Sequence, residues 1–258
     1  MEEHAPEDVY RDHAGIHAQK QEGYCYVGAA VLRGRMTALQ LHAVADISEK
    51  LASSQVRTTA MQNILLVNVR KERAAQVALE LESAGLRTGG SPFFRGAIAC
   101  TGSEFCKLAI TETKGFTRWL VDEMEERLPG FDQQFKLHVT GCPNSCGQHW
   151  IADIGLEGKK IKENGQLVDA YYFSVGGGVG KDQAIARPVG YRCRAMDVPE
   201  AIERLLNRYQ EMRLPGENLR QFFARHQPDE IRGYLAGVPV AAVARDLPEA
   251  RPPHGIEG

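Results

Sequence analysis

The chain has 258 residues, 25% of them charged and 43% hydrophobic, so it is long enough for a substantial core and is globular in composition. Its formal net charge of -2 argues against a general nucleic-acid binder. The sequence has neither an apolar run long enough to cross a bilayer nor a signal-peptide pattern at its N-terminus. We therefore expect a cytoplasmic protein with no nucleic-acid or membrane partner.

The first third of the chain predicts a small α+β unit, which we place at residues 1–88. The first helix is predicted to be capped by Thr37 and to face inward with Leu39, Ala43, Ile47 and Leu51. The predicted order of elements is β-α-β-β-α, which favours a ferredoxin-like fold with its helices on one face of the sheet. The strands are predicted at 24–32, 56–59 and 64–69, and the helices at 37–51 and 73–84.

A second unit is predicted over residues 89–237, because Gly89-Gly90-Ser91-Pro92 breaks regular structure. A helix over 106–128 is predicted from apolar residues at every fourth position, and another is predicted to begin at a capping box of Asp197 and Glu200. Strands are predicted at 96–99, 135–139, 151–156 and 170–175. The tail over 238–258 is expected to be loosely ordered.

Four of the six cysteines form two pairs, and each pair follows a predicted strand. Cys100 and Cys106 follow one strand, and Cys142 and Cys146 follow another. Ligands at the ends of neighbouring strands converge on one sheet edge, and four thiolates satisfy a [4Fe–4S] cluster. The remaining cysteines, Cys25 and Cys193, are isolated and are expected to be ordinary buried residues.

Zinc is the competing interpretation of the paired cysteines. Structural zinc sites usually have two to four residues between paired ligands. Cys142 and Cys146 fit this spacing, whereas Cys100 and Cys106 are too far apart in the sequence. Four unrelated cysteines are a weaker alternative, because both pairs lie in glycine-containing turns, where the backbone can come close to an inorganic core. The spacing therefore favours an iron–sulfur cluster over zinc.

The cysteine motifs ACTGSEFCKLAITETKG and TGCPNSCGQHWIADIGLEG closely resemble those of ferredoxin-dependent nitrite reductases and assimilatory sulfite reductases. The segments RDHAGIHAQKQEGYCYVGAAVLRGR and VRTTAMQNILLVNV are also similar to the second half of those enzymes, so the resemblance covers about residues 11–237. It implies a ferredoxin-like half-domain followed by an α+β domain that holds a [4Fe–4S] cluster and siroheme.

The resemblance also implies roles for individual residues. The four paired cysteines would bind the cluster, and Cys146 would bridge cluster iron and siroheme iron. Thr101, Asn144 and Gln148, which lie in the same motifs, would contact the cofactors. The segment TGCPNSCGQ is more similar to the nitrite-reducing branch, in which a ferredoxin-like donor supplies electrons for reduction of nitrite to ammonia. Reduction of sulfite to sulfide and a non-catalytic electron-transfer or siroheme-binding subunit are the alternatives.

Enzymes of this family are built from two pseudo-repeated halves, and the cations that hold the substrate come mainly from the first. Here Met1 is followed almost at once by the second-half motif. We therefore expect a half-size protein, split subunit or fragment that works with a first-half partner or by self-association. Arg57 is the candidate anion ligand, with a solvated arginine or a siroheme carboxylate partner as the alternative. Lys107 has the same ambiguity, and His17 and His138 are expected to be structural.

Overall fold

The computed structural model describes residues 12–180, 183–239 and 242, with strands arranged in two sheets. The strands are β1 (Gly15–Ala18), β2 (Tyr24–Ala29), β3 (Val56–Thr58), β4 (Ile64–Arg70), β5 (Ala97–Ala99), β6 (Leu137–Thr140), β7 (Ile154–Glu163), β8 (Gln166–Val175) and β9 (Arg187–Arg194). The helices are α1 (Ala38–Leu51), α2 (Ala74–Ser83), α3 (Pro92–Arg95), α4 (Lys114–Arg127), α5 (Val198–Met212), α6 (Leu219–Arg225) and α7 (Pro228–Ala236). None of the helices within these described ranges is both long and apolar enough to cross a membrane.

The N-terminal sheet is antiparallel and has the strand order β1-β2-β4-β3. Apolar side chains of α1 and α2 pack with those of β2 and β4 into one buried cluster that includes Val27, Ile47, Leu66 and Val77. The predicted β-α-β-β-α order is therefore present, with β1 added in front of it. β1 escaped prediction because four residues of alternating exposure give too short a pattern.

The inward face predicted for α1 is partly wrong. Thr37 caps the helix as predicted, accepting a hydrogen bond from Gln40 N at 3.2 Å. Leu39, however, is 82% exposed, whereas Val44 and Ile47 are buried. In a helix of 3.6 residues per turn, a four-residue spacing drifts by about 40° at each step. The first member of the predicted stripe therefore points away from the sheet.

The C-terminal sheet is mixed and has the strand order β5-β6-β7-β8-β9. β5, β6 and β7 are parallel, and β7, β8 and β9 are antiparallel. β7 and β8 are longer than predicted, because a two-residue turn at Asn164-Gly165 joins them. Both turn residues have positive φ, 48° and 85°, as a tight hairpin of this kind requires.

In this unit one predicted helix start is wrong, and one predicted capping box is absent although its helix begins where it was expected. The helix expected over 106–128 begins only at Lys114, because Ile110 N donates to Gly141 O at 2.7 Å and ties the preceding turn to another part of the chain. α5 has Pro199 in its first turn as predicted. Its expected cap, Asp197, instead pairs with Arg194 at 2.6 Å. The predicted domain boundaries remain predictions, and the predicted tail lies almost entirely outside the described residues.

Candidate iron–sulfur centre

The two cysteine turns meet at the carboxyl ends of β5 and β6. These strands are parallel neighbours, with Ala99 opposite Val139. Cys100 N donates to Val139 O at 3.0 Å, and Gly141 N donates to Cys100 Sγ at 3.2 Å. The first turn (residues 100–113) therefore lies directly against the second (residues 140–148), and the predicted convergence at one sheet edge is present.

The four paired cysteines differ in exposure, and all are free thiols. Cys100 is 9% exposed and Cys142 is 7% exposed, Cys106 is half-buried, and Cys146 is exposed. Two sulfurs thus lie within the protein while Cys146 reaches its surface. Among the described residues, no group of three or more His, Cys, Asp or Glu side chains is gathered closely enough for a single metal ion.

The other two cysteines lie away from these turns. Cys25 is buried in the N-terminal core and donates from Sγ to Val69 O at 3.3 Å. Burial raises the pKa of its thiol above the ordinary value. Burial, with Asp197 nearby, raises the pKa of Cys193 to about 12. Both thiols are held protonated, whereas metal ligation requires the thiolate.

Glycines allow the turns to pack at backbone distance. Gly102 has φ +68°, and a Cβ there would lie 2.5 Å from Thr113 Oγ1. Thr113 Oγ1 in turn donates to Cys100 O at 2.7 Å. A Cβ at Gly147 would lie 2.4 Å from Val139 O. The backbone conformation around the cysteines therefore depends on these positions having no side chain.

The second turn contains two non-glycine residues in the left-handed region, one on each side of Cys146. Ser145 and Gln148 both have φ 57°. Ser145 Oγ is 2.8 Å from His149 Nδ1, and Gln148 O is 2.9 Å from His138 Nδ1. Each strained residue therefore contacts a buried histidine.

A carboxylate extends the contact at His149. His149 is 1% exposed, and its Nε2 lies 3.5 Å from Oε2 of Glu157 on β7. Burial would by itself raise the pKa of Glu157, but interactions with His149 and Lys159 lower it below the ordinary value. Sequence reasoning missed both His149 and Glu157. The nearness of His149 to the cysteine motif in the sequence was a usable signal. The position of Glu157 beside His149, by contrast, follows only from the pairing of β7 with β6.

The remaining candidate residues are spread more widely. Thr101, Asn144 and Gln148 are exposed in the two turns, as is Lys107. Arg57 is exposed on the edge strand β3, opposite Leu65 of β4. The structure thus places five predicted residues at the surface and brings the first four of them together in the cysteine turns.

The two histidines considered in the sequence have structural contacts. His17 stacks on Tyr26 with ring centroids 5.0 Å apart. His138 is fully buried, and burial lowers its pKa to about 4. At neutral pH His138 is therefore uncharged, so its Nδ1–H donates to Gln148 O.

A half-buried lysine links the first turn to the N-terminal unit. Lys114 Nζ donates to Ala99 O at 2.8 Å and to Arg33 O, and Arg33 Nη1 donates back to Lys114 O at 2.9 Å. Burial, with Arg35 nearby, lowers the pKa of Lys114. Gln62 also donates to Ala99 O at 2.9 Å. The strand end that delivers Cys100 is therefore held by side chains from both units.

Comparison with known proteins identifies the family. Residues 17–84 match the nitrite/sulfite reductase ferredoxin-like half domain, and residues 90–234 match the nitrite and sulphite reductase 4Fe-4S domain. The chain belongs to the nitrite and sulfite reductase family. This confirms the predicted resemblance and the predicted fold class, a ferredoxin-like half-domain followed by an α+β reductase domain.

Individual relatives of this nitrite and sulfite reductase chain show how much of a family enzyme it spans. The assimilatory ferredoxin-dependent nitrite reductase of Haloferax mediterranei is 37% identical, over 86% of this chain and 38% of the relative. Sulfite reductase [ferredoxin] 1 of Mycolicibacterium paratuberculosis is 33% identical, over 86% of this chain and 41% of the relative. The NirA structure from Mycobacterium tuberculosis matches with a TM-score of 0.80 at 31% identity, over 88% of this chain and 43% of that one. The chain thus spans about two fifths of these relatives.

The family is one of oxidoreductases whose cofactors are a [4Fe–4S] cluster and siroheme. The residues in the two turns fit the cluster. The two turns contain four free cysteines, and the backbone N–H of Gly141 donates to Sγ of Cys100. The exposure of Cys146 fits a ligand that also touches a second group.

Proposed function

We propose that this chain is the cofactor-bearing half of a siroheme and [4Fe–4S] reductase that reduces nitrite to ammonia with electrons from a ferredoxin-like donor. The observation that carries the proposal is the meeting of two cysteine pairs at the ends of the parallel strands β5 and β6, where Gly141 N donates to Cys100 Sγ. The reducing cytoplasm suits such a centre, because it keeps thiols free for ligation.

Cys100, Cys106, Cys142 and Cys146 are the proposed cluster ligands. The N–H of Gly141 donates to the Cys100 sulfur, and a hydrogen bond to a ligand sulfur would raise the reduction potential of the cluster. Cys146 is the proposed bridge to siroheme iron, since it is the exposed member of the set. A thiolate shared by both groups would couple them electronically.

The exposed side of the two turns is the proposed siroheme face. Thr101, Asn144 and Gln148 are exposed there and carry hydrogen-bonding side chains, and Lys107 adds a cation for a carboxylate. When bound, siroheme supplies the iron at which the anion is reduced, and the cluster supplies single electrons. The chain's own part is to ligate, orient and set the electrostatic environment.

The proposal includes a partner for this half, either a first-half subunit or a second copy. Siroheme carries several carboxylates and nitrite is an anion, so a competent pocket needs converging Arg and Lys side chains. Among the described residues of the cysteine turns, Lys107 is the exposed cation, and Arg57 lies on the other sheet. The remaining cations would therefore come from the partner.

Sulfite reduction to sulfide is the second candidate, supported by the 33% identity to the mycobacterial sulfite reductase. The segment TGCPNSCGQ and the 37% identity to the haloarchaeal nitrite reductase favour nitrite. A non-catalytic electron-transfer or siroheme-binding subunit is a third candidate, because it needs only the four cysteines.

Anaerobic purification followed by absorption spectroscopy and assays of iron, sulfide and zinc tests the cofactor assignment. We expect siroheme bands together with iron and acid-labile sulfide. Colourless protein with stoichiometric zinc would overturn the proposal. Parallel assays with reduced viologen and either nitrite or sulfite then decide the substrate, and activity towards neither, even with a partner half present, would leave the electron-transfer role.

Arg57→Ala distinguishes the two forms of partnership. If a second copy completes the pocket, the variant should lose activity while keeping its cofactors, because an anion ligand is gone. If a separate first-half subunit completes it, the effect should be mild. Arg208→Ala is the matched control, since Arg208 is an exposed arginine on α5 paired with Glu211. High turnover by a chain that sedimentation shows to be monomeric would refute the need for a partner.

A further inference from the structure

We propose that His149 and Glu157 are positioning residues that hold the turn carrying Cys146 by restraining Ser145 in its left-handed conformation. We call Ser145, His149 and Glu157 the brace. This inference rests on the proposed role of Cys146 as a cluster and siroheme ligand, and it adds a device that sets where that sulfur lies.

The turn needs restraint because its backbone is strained on both sides of Cys146. Ser145 and Gln148 each have φ 57°, a region that non-glycine residues adopt at a cost in free energy. Such a conformation persists only where the surroundings fix it. Without restraint, the turn would relax towards ordinary backbone angles and carry the exposed sulfur of Cys146 with it.

The brace supplies this restraint from the rigid sheet. Glu157 is in β7, opposite Thr140 at the end of β6, and its second oxygen pairs with Lys159 at 2.8 Å. His149 is buried and lies between this carboxylate and Ser145. The serine hydroxyl is therefore connected through one buried ring to a strand that hydrogen bonds keep in register.

The chemistry of the three groups orients the hydrogen bond of Ser145 with His149 and the 3.5 Å contact of His149 with Glu157. An ionised carboxylate can only accept, so Glu157 selects the tautomer of His149 that has its proton on Nε2. The Nδ1 lone pair then accepts the hydroxyl proton of Ser145 at 2.8 Å. Without Glu157, His149 would no longer be fixed in the tautomer with its proton on Nε2, and the hydrogen bond that restrains Ser145 would weaken.

His138 acts in parallel on the other strained residue. Its Nδ1–H donates to Gln148 O at 2.9 Å from the middle of β6. The turn around Cys146 is thus held at both ends by buried histidines, one on the strand before the turn and one in the 3₁₀ turn after it. Two separate contacts, one at Ser145 and one at Gln148, therefore maintain the two departures from ordinary backbone geometry in this turn.

The test uses the full chain reconstituted with iron and sulfide, and it measures how fast the visible absorbance of the cluster is lost to a chelator under anaerobic conditions. Ser145→Ala removes the hydroxyl but keeps the strain, and His149→Phe fills the same space without an acceptor. Each should speed cluster loss by about three- to ten-fold, the range for losing one hydrogen bond. The double variant should be no faster than either single variant, because both remove the same contact.

Ser145→Gly provides the rescue that separates restraint from general packing. Glycine adopts positive φ without strain, so the turn no longer needs the brace. Adding Ser145→Gly to His149→Phe should restore cluster loss to within about two-fold of the wild-type rate. Ser103→Ala is the control, since Ser103 is exposed in the first turn and its hydroxyl makes no hydrogen bond within the described residues.

The outcomes separate this inference from the assignment on which it rests. A wild-type chain that takes up no cluster overturns both. A stable wild-type cluster that His149→Phe and Ser145→Ala leave unchanged overturns the brace alone. Additive effects in the double variant, or no rescue by Ser145→Gly, also overturn it, because they would show that His149 acts through packing.

Discussion

Replacing Gly102 by alanine should destabilise the protein more than the same replacement at Gly89, Gly147 or Gly165. Gly102 has φ +68°, and L-residues in this region are destabilised by about 1–2 kcal/mol. The added Cβ would also lie 2.5 Å from Thr113 Oγ1 and 2.7 Å from Thr113 N, and overpacking of this kind costs about 1–3 kcal/mol. The two effects together predict a loss of about 2–5 kcal/mol in the free energy of unfolding.

Three other glycines separate these contributions. Gly165 has φ +85° but open space around it, so its alanine variant should lose only about 1–2 kcal/mol. Gly147 lacks a positive φ, but its Cβ would lie 2.4 Å from Val139 O, so overpacking alone predicts about 1–3 kcal/mol. Gly89 has neither feature, and its variant should change stability by less than about 1 kcal/mol.

The assay is urea unfolding of the purified chains in one common cofactor state, followed by far-ultraviolet circular dichroism. Gly102→Ala should show the lowest midpoint and should also retain the least cluster, because displacement of Thr113 breaks its hydrogen bond to Cys100 O. A midpoint for Gly102→Ala equal to or above that of Gly165→Ala would refute the close approach of the turn to Thr113.

Three further predictions concern the cysteines and the buried histidine. Cys142→Ser should lose the cluster, because an alkoxide is a poor substitute for a soft thiolate. Cys193→Ala is the control and should keep the cluster. A full cluster signal in Cys142→Ser would contradict the ligand assignment. Cys146→Ser should alter both the cluster and the siroheme spectra, and a change in the cluster alone would remove the proposed bridge. Because burial lowers the pKa of His138 from 6.5 to about 4, its contribution to stability is present above pH 6.5 and is lost, by about 3 kcal/mol in total, as the pH falls to 4. His138→Asn, which can keep a donor towards Gln148 O, should show a smaller fall in urea midpoint over that range, and an equal fall would show that other groups control acid stability.

The sequence predicted the convergence of the cysteines because the necessary information is local. Cys100 and Cys142 each follow a short apolar strand, and strands joined by a helix in this way pair in parallel. Pairing in register then brings the two turns together without any further assumption. The cysteine spacing favoured an iron–sulfur cluster, whereas siroheme came only from the family resemblance.

The errors have tertiary causes. The apolar residues at every fourth position lie between Phe116 and Leu128, inside or at the end of the observed helix. The predicted extension back to residue 106 is wrong, because the hydrogen bond from Ile110 N to Gly141 O holds that segment in turns. Asp197 has the position of a cap, but Arg194 competes for its carboxylate. The brace was missed because Glu157 reaches His149 only through the register of β6 and β7. The Asn164-Gly165 hairpin, by contrast, has a clear local signal, because Asn-Gly is a preferred pair for a two-residue turn.

The parallel pairing of β5 with β6 also bears on when the proposed metal centre can be assembled. Gly141 and Cys100, which meet in the folded protein, are 41 residues apart in the chain. Closing a loop of that length is slow compared with forming local helices and hairpins, so we expect the two cysteine turns to come together late in folding. Before that step each pair can offer only two sulfurs to iron. A preformed cluster would therefore bind to a polypeptide in which β5 and β6 are already paired. A mutation that slows this pairing would lengthen the time during which the free thiols can be oxidised.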